Sequence, residues 1–133
     1  MNESRPSTLG GKRILIVEDE YALASELAQY FERQGAIVAG PVGTVKSALA
    51  LVAREGPRLD AAILDINLRN DRVYPVADKL IALGVPIVFA TGYDQLLMSQ
   101  SYSNFPRCQK PVDKALLAGV IAAAIANGPG LAG

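Results

Sequence analysis

Apolar residues along the chain fall into two kinds of run, and the two kinds alternate. "ILIV" (Ile14 to Val17), "AIVAG" (Ala36 to Gly40), "AAILD" (Ala61 to Asp65), "PIVFA" (Pro86 to Ala90) and a weaker "RCQ" (Arg107 to Gln109) are short, continuous and mostly rich in Ile and Val. Continuous apolarity over so few residues predicts strands buried on both faces of a parallel sheet. Between these runs, apolar residues recur every three or four positions, which predicts helices. Leu23, Leu27, Tyr30 and Phe31 share one face of a helix that begins near Glu20 and stops at Gly35. Val45, Leu49 and Val52 line a second, with Thr44 as N-cap and Gly56 at its end. A third runs from about Tyr74, with Pro75 in its first turn, through Val76, Leu80 and Leu83 to Gly84. The polar stretch "DQLLMSQSYSN" has few apolar anchors, so a fourth helix around Asp94 to Ser101 is expected to be short or mobile. The last helix begins near Asp113 and carries Leu116, Leu117, Val120, Ile121, Ala124 and Ile125.

Strand and helix alternating in this way predict an α/β fold: a three-layer, doubly wound sandwich with a five-stranded parallel sheet, five helices and right-handed crossovers. Strand order 2-1-3-4-5 is a common solution for this pattern. The expected domain spans residues 12–127, with flexible tails at residues 1–11 and 128–133.

Composition narrows the chemistry. With 133 residues, 50% hydrophobic and 20% charged, the chain has room for one domain of ordinary size. Thirteen basic and thirteen acidic side chains, with no basic block, give no footprint for nucleic acid or for an anionic membrane. The chain has no histidine, which excludes a Ser/His/Asp triad, a Cys/His pair, histidine-bound zinc and histidine general-base catalysis. Its one cysteine, Cys108, forms no intramolecular disulfide and is expected to be a small buried residue of the fifth strand. "MNESRPSTLGG" lacks the apolar core of a signal peptide, and "KALLAGVIAAAIA" is shorter than the roughly 20 residues of a membrane span. A soluble cytoplasmic protein is expected, with a protein or a small ligand as partner.

In open α/β sheets the working crevice lies beyond the carboxyl ends of the strands. Here that rim would gather Glu18, Asp19 and Glu20 after the first strand, Asp65 from the third, Thr91 from the fourth and Lys110, followed by Pro111, from the fifth. Carboxylates from two strands repel each other unless a hard cation lies between them, and Mg2+ is the natural candidate. Beside such a metal an ionised Asp65 could attack a phosphorus centre and form an acyl phosphate. Lys110 would face the phosphoryl oxygens, and the Thr91 hydroxyl would donate a hydrogen bond.

"ILIVEDE", "AAILDINL", "VFATG" and "QKP" together resemble the receiver domain of two-component response regulators, over roughly Lys12 to Asn127. The resemblance implies a flavodoxin-like fold and a Mg2+-dependent phosphoacceptor that assists its own phosphorylation and dephosphorylation but turns over no other substrate. It implies Asp65 as the phosphoacceptor, Asp19 as a direct metal ligand with Glu18 acting through water, and the Asn67 backbone carbonyl as the third protein ligand. Thr91 and Lys110 match the family's phosphate-sensing pair, with the Lys110-Pro111 bond a candidate cis peptide. The implied partners are a sensor histidine kinase or histidine phosphotransfer protein and an unidentified downstream protein. Two departures stand out. Arg107 occupies the family's usual aromatic switch position, and "FATGYD" only partly resembles a single-domain branch that reads Phe-Ala-Thr-Gly, a hydrophobic residue, then Tyr. Gly92 and Tyr93 flank that motif, Tyr93 either packing on the fourth helix or flanking the approach to Asp65. On this reading the receiver stands alone, and phosphorylation shifts the loop after the fourth strand together with the fourth helix.

Blander roles compete at each position. Asp19 could cap the first helix, Thr91 could cap the fourth, Lys110 could be an ordinary exposed lysine, and Arg107 could simply face solvent or a partner. Glu20 reads as a first-turn acid favoured by the helix dipole. Other functions on this fold fit less well. A flavin protein would need a phosphate-cradling loop where "EDEYAL" places carboxylates, and an aspartate-based phosphatase would want an acid where Asn67 stands. A receiver-like adaptor that works without phosphorylation is the remaining alternative.

Overall fold

In the computed structural model, residues 8–69, 71–92 and 102–128 are described. Strands β1 (Arg13–Val17), β2 (Ile37–Val42), β3 (Ala61–Asp65), β4 (Ile87–Thr91) and β5 (Arg107–Gln109) form one sheet. Its order is β2-β1-β3-β4-β5 and every neighbouring pair is parallel, as the alternation predicts. Helices α1 (Tyr21–Arg33), α2 (Val45–Glu55), α3 (Tyr74–Ala82) and α4 (Lys114–Asn127) flank it. The helix expected around Asp94 to Ser101 lies outside the described residues. Among the described residues no helix is long and apolar enough to cross a membrane.

Two apolar clusters sandwich the sheet, because alternate residues of a strand point to opposite faces. Leu15, Leu64 and Phe89 pack with Leu51 of α2 and Leu80 of α3 on one side. Ile14, Ile63 and Val88 pack with Leu27 and Phe31 of α1 and Leu117 and Ile121 of α4 on the other. The central strands β3 and β4 are buried at every residue, as continuous apolarity predicts. Strand β2 departs from that expectation: it is an edge strand, and Ile37 is 42% exposed. Helix α4 departs too, with Leu116 60% exposed and burial confined to the Leu117–Ile121 stripe. The amino-terminal boundary also shifts. Leu9, expected in the flexible tail, is buried with Ile14 and Phe31, and the Gly11 amide donates to the Gly35 carbonyl at 2.8 Å.

Local chemistry sets the element ends. The Thr44 hydroxyl accepts from the Ser47 amide at 3.0 Å and caps α2, and Pro75 lies in the first turn of α3. Gly56 ends α2 in right-handed backbone and begins a short 3-10 turn rather than a left-handed cap. At the site end of β2, Gly40 has φ +88 and precedes a cis peptide to Pro41. A Cβ there would lie 2.9 Å from the Val42 amide nitrogen and 3.1 Å from the Ile16 carbonyl oxygen, so glycine is required. The β1/β2 register shifts at this point, Val42 pairs with Val17, and the Glu18 amide donates to the Val42 carbonyl at 2.9 Å. The chain thus delivers Glu18 in a fixed position at the rim.

Candidate functional site

At the carboxyl edge of the sheet four strand ends converge. Glu18 and Asp19 follow β1, Asp65 ends β3, Thr91 ends β4 and Lys110 follows β5. Glu18, Asp65 and Thr91 are buried, at 4%, 4% and 1% exposure, which is unusual for two carboxylates unless they are paired. The pairing is with Lys110. Its Nζ lies 3.1 Å from Glu18 Oε1, 3.3 Å from Glu18 Oε2 and 3.3 Å from Asp65 Oδ2. Backbone amides hold the same carboxylates, with Glu20 N donating to Glu18 Oε2 at 3.0 Å and Asn67 N to Asp65 Oδ1 at 3.3 Å. The Lys110 amide in turn donates to the Thr91 carbonyl at 2.7 Å, and Lys110-Pro111 is a cis peptide.

Asp19 completes the acidic group from the solvent side. Its Cα would be 3.3 Å from a Cβ at Gly43, so the loop after β2 passes close against it. The α1 cap position belongs to Glu20, which makes no side-chain capping bond, so Asp19 does not take the capping role weighed for it. One carboxylate oxygen from each of Glu18, Asp19 and Asp65 lies within 4.8 Å of the other two. That spacing is close to the roughly 4 Å that separates opposite oxygens around a six-coordinate Mg2+, and an all-oxygen donor set suits that ion. The three acidic groups could therefore hold such a metal.

Electrostatics reflect the crowding. Burial, then the nearby Asp65 charge, push the Glu18 carboxyl up to about 7, against the opposing pull of the Glu20 amide and Lys110. Burial also raises Asp65, although Lys110 draws it back down. For Lys110, burial would lower the pKa, but the Glu18 and Asp65 carboxylates together outweigh it and hold the ammonium above its ordinary value. The pocket is a set of negative charges short of cation.

Not every residue singled out in the sequence joins this group. Gly92 is half-buried beside Thr91, Pro111 is exposed, and Tyr93 lies outside the described residues. Arg107 is exposed on β5, in register with Phe89, and Cys108 is buried as expected. One participant carries no signal in the sequence pattern, and one aromatic cluster lies beside the site. Arg69 reaches Asp19, Nε to Oδ2 at 3.7 Å. Tyr102 stacks on Tyr74 at 4.4 Å between centroids, meets Phe89 edge-on at 5.9 Å and hydrogen-bonds Asp78 through its hydroxyl. Burial, then that carboxylate, push the Tyr102 phenol to about 12. With an arginine at the aromatic switch position, the rings that meet Phe89 of β4 are those of Tyr74, Tyr102 and Phe105.

A five-stranded parallel α/β sandwich with buried carboxylates and a lysine at its carboxyl edge defines the class. Neither a family model nor a curated protein matches the chain. Solved structures do. SdrG from Sphingomonas melonis Fr1 is 39% identical, with 87% of this chain and 97% of that one aligned at a TM-score of 0.75. The receiver domain of the PhyR response regulator from Erythrobacter litoralis (23% identity, 93% and 97% covered, TM-score 0.78) shares the fold. So does a response regulator receiver protein from Sinorhizobium medicae WSM419 (18% identity, 87% and 95% covered, TM-score 0.74). The chain belongs to the receiver-domain family of response regulators.

Proposed function

We propose that this receiver accepts a phosphoryl group on Asp65 from the phosphohistidine of a sensor kinase or phosphotransfer protein, with Mg2+ in the acidic pocket, and signals through contact with another protein. The observation that carries this reading is the setting of Asp65: a buried carboxylate 3.3 Å from the Lys110 ammonium and within 4.8 Å of oxygens from Glu18 and Asp19. Similarity to SdrG, and to the PhyR receiver in fold, supports it. In the transfer, one Asp65 oxygen attacks phosphorus while the bond from phosphorus to the donor imidazole breaks. The electron pair leaves on the imidazole nitrogen, and the imidazole takes up one proton from solvent to become neutral. Bound Mg2+ supplies charge neutralisation for the phosphoryl oxygens. Lys110, freed from one carboxylate, pairs with those oxygens, and Thr91 at the end of β4 offers its hydroxyl to them. Glu18, Asp19, Asp65 and the Asn67 carbonyl would hold the metal. The protein acts as a cytoplasmic phosphoacceptor and not as a turnover enzyme.

Intact-mass analysis after incubation with Mg2+ and acetyl phosphate tests this directly. The wild type is expected to gain one phosphoryl group, whereas Asp65→Asn and the metal-free wild type gain none. An adduct that survives Asp65→Asn would move the acceptor elsewhere. No adduct from acetyl phosphate or from phosphorylated histidine kinases would turn the reading toward a phosphorylation-independent adaptor.

Metal affinity should also depend on pH with a definite sign. Protonated Glu18 is neutral and must lose its proton for the pocket to reach full negative charge, and its pKa is pushed up to about 7. Mg2+ binding therefore weakens by about tenfold per unit as pH falls below about 7, and levels off above it. Calorimetric titrations across that range check this, and a Kd independent of pH would remove Glu18 from the metal site.

A further inference from the structure

We infer that Arg69 is a resident counter-ion of Asp19 that competes with Mg2+ for that carboxylate, and so sets how much of the cation the pocket needs. The inference rests on the receiver reading above. Arg69 Nε lies 3.7 Å from Asp19 Oδ2, with the guanidinium side chain 74% exposed and the carboxylate 20% exposed. The arginine thus meets Asp19 from the solvent side. Lys110 serves the two deeper carboxylates, Glu18 and Asp65, so the two cations divide the acidic group between them.

The backbone ties Arg69 to this place. Asn67–Leu68 pairs antiparallel with Asp71–Arg72, Asn67 opposite Arg72 and Leu68 opposite Asp71, so Arg69 opens the tight turn between them. It has φ 55, in the left-handed region, and among the described residues no other non-glycine residue has positive φ. Two residues earlier in the same ribbon, Asn67 donates its amide to Asp65. The turn that carries the guanidinium is therefore continuous with the segment that fixes the acceptor.

A divalent ion held by Glu18, Asp19 and Asp65 needs an Asp19 oxygen. Arg69 then loses its partner and faces a like charge of twice its size. Removing the guanidinium removes both the competition and the repulsion, so Mg2+ should bind more tightly. Because the arginine is exposed, solvent and salt screen the effect to about threefold to tenfold in Kd at low ionic strength, less at high. A purely structural Arg69, acting only to pin the ribbon, gives the opposite sign, since its loss would loosen Asn67 and Asp65.

The test is Mg2+ titration of the full chain, wild type, Arg69→Ala and Arg69→Lys, read on the Asp65 and Asn67 amide resonances. Arg69→Ala is expected to bind about threefold to tenfold more tightly at low salt, with the gain fading as salt rises, while Arg69→Lys stays within about twofold of wild type. Equal or weaker binding by Arg69→Ala, or a gain unchanged by salt, overturns the inference and leaves the receiver reading intact. Mg2+ binding by none of the three proteins overturns both.

Discussion

Lys110→Met is expected to destabilise the metal-free protein by about 2–4 kcal/mol above neutral pH. Methionine keeps most of the apolar stem and deletes the charge. Lys110 Nζ is the cation within 3.3 Å of both Glu18 and Asp65, two side chains only 2% and 6% exposed, so its loss leaves two buried carboxylates facing each other. The loss is smaller than for a fully buried pair because the lysine side chain is itself 23% exposed. The loss should depend on pH. Glu18 holds its proton at about 7 in the folded chain against 4.5 ordinarily. The folded state thus binds more protons at Glu18 between these values, and the Glu18 contribution to wild-type stability falls as pH rises through that window and levels off above it. In the variant the same carboxyl titrates higher still, so at about pH 5 it is neutral and the deficit shrinks. Added Mg2+ should restore much of the loss at higher pH by replacing the missing charge. Urea unfolding at the two pH values, with and without Mg2+, decides the matter. An equal deficit in all conditions would point to lost packing of the lysine stem instead of unpaired charge.

The same pocket shows what could be read from sequence and what could not. Glu18, Asp19, Asp65, Thr91 and Lys110 are separated by up to 92 positions, yet the first four stand at the ends of apolar runs and Lys110 follows the weak strand "RCQ", where the resemblance of "QKP" marks it. In a parallel sheet all such ends lie on one edge, so recognising the strands was enough to bring the residues together. Arg69 follows no apolar run. Its place depends on its own left-handed backbone at the end of a short antiparallel ribbon, and an arginine at φ 55 has no signature in composition or periodicity. Leu9 was hidden for a related reason, because its burial depends on the chain folding back onto Gly35, a contact set by turn geometry. Strand β2 shows the limit of the apolar-run rule. "AIVAG" is as apolar as a central strand, but edge or centre is decided by strand order, which local sequence does not encode. In α4 almost every side chain is apolar, so periodicity could not single out Leu117 and Ile121 as the buried pair.

The largest single loss of stability is expected from Phe89→Ala, at about 3–5 kcal/mol. Phe89 is fully buried on β4 and three aromatic rings meet its edges or face: Tyr102 at 5.9 Å, Tyr74 at 6.3 Å and Phe105 at 6.4 Å between centroids. Truncation removes a large apolar surface and leaves a void that the stacked Tyr74 and Tyr102 cannot easily fill, since the Tyr102 hydroxyl is fixed to Asp78. Such a loss is a large fraction of the roughly 5–15 kcal/mol that holds an ordinary domain folded. Tyr102→Phe separates the two contributions: it keeps the ring contacts and removes the hydroxyl, so it should cost only about 1 kcal/mol. The cluster also bears on the site. Residues two apart on a strand share a face, so Thr91 stands one pleat beyond Phe89 on the same side of the sheet. If Phe89 fixes β4 beneath Thr91, Phe89→Ala should also slow phosphorylation by acetyl phosphate under conditions where the variant remains folded, whereas Tyr102→Phe should leave that rate near wild type. A Phe89→Ala cost below about 1.5 kcal/mol in urea unfolding would mean that the neighbouring rings collapse into the gap, and that the cluster does not hold β4 in place.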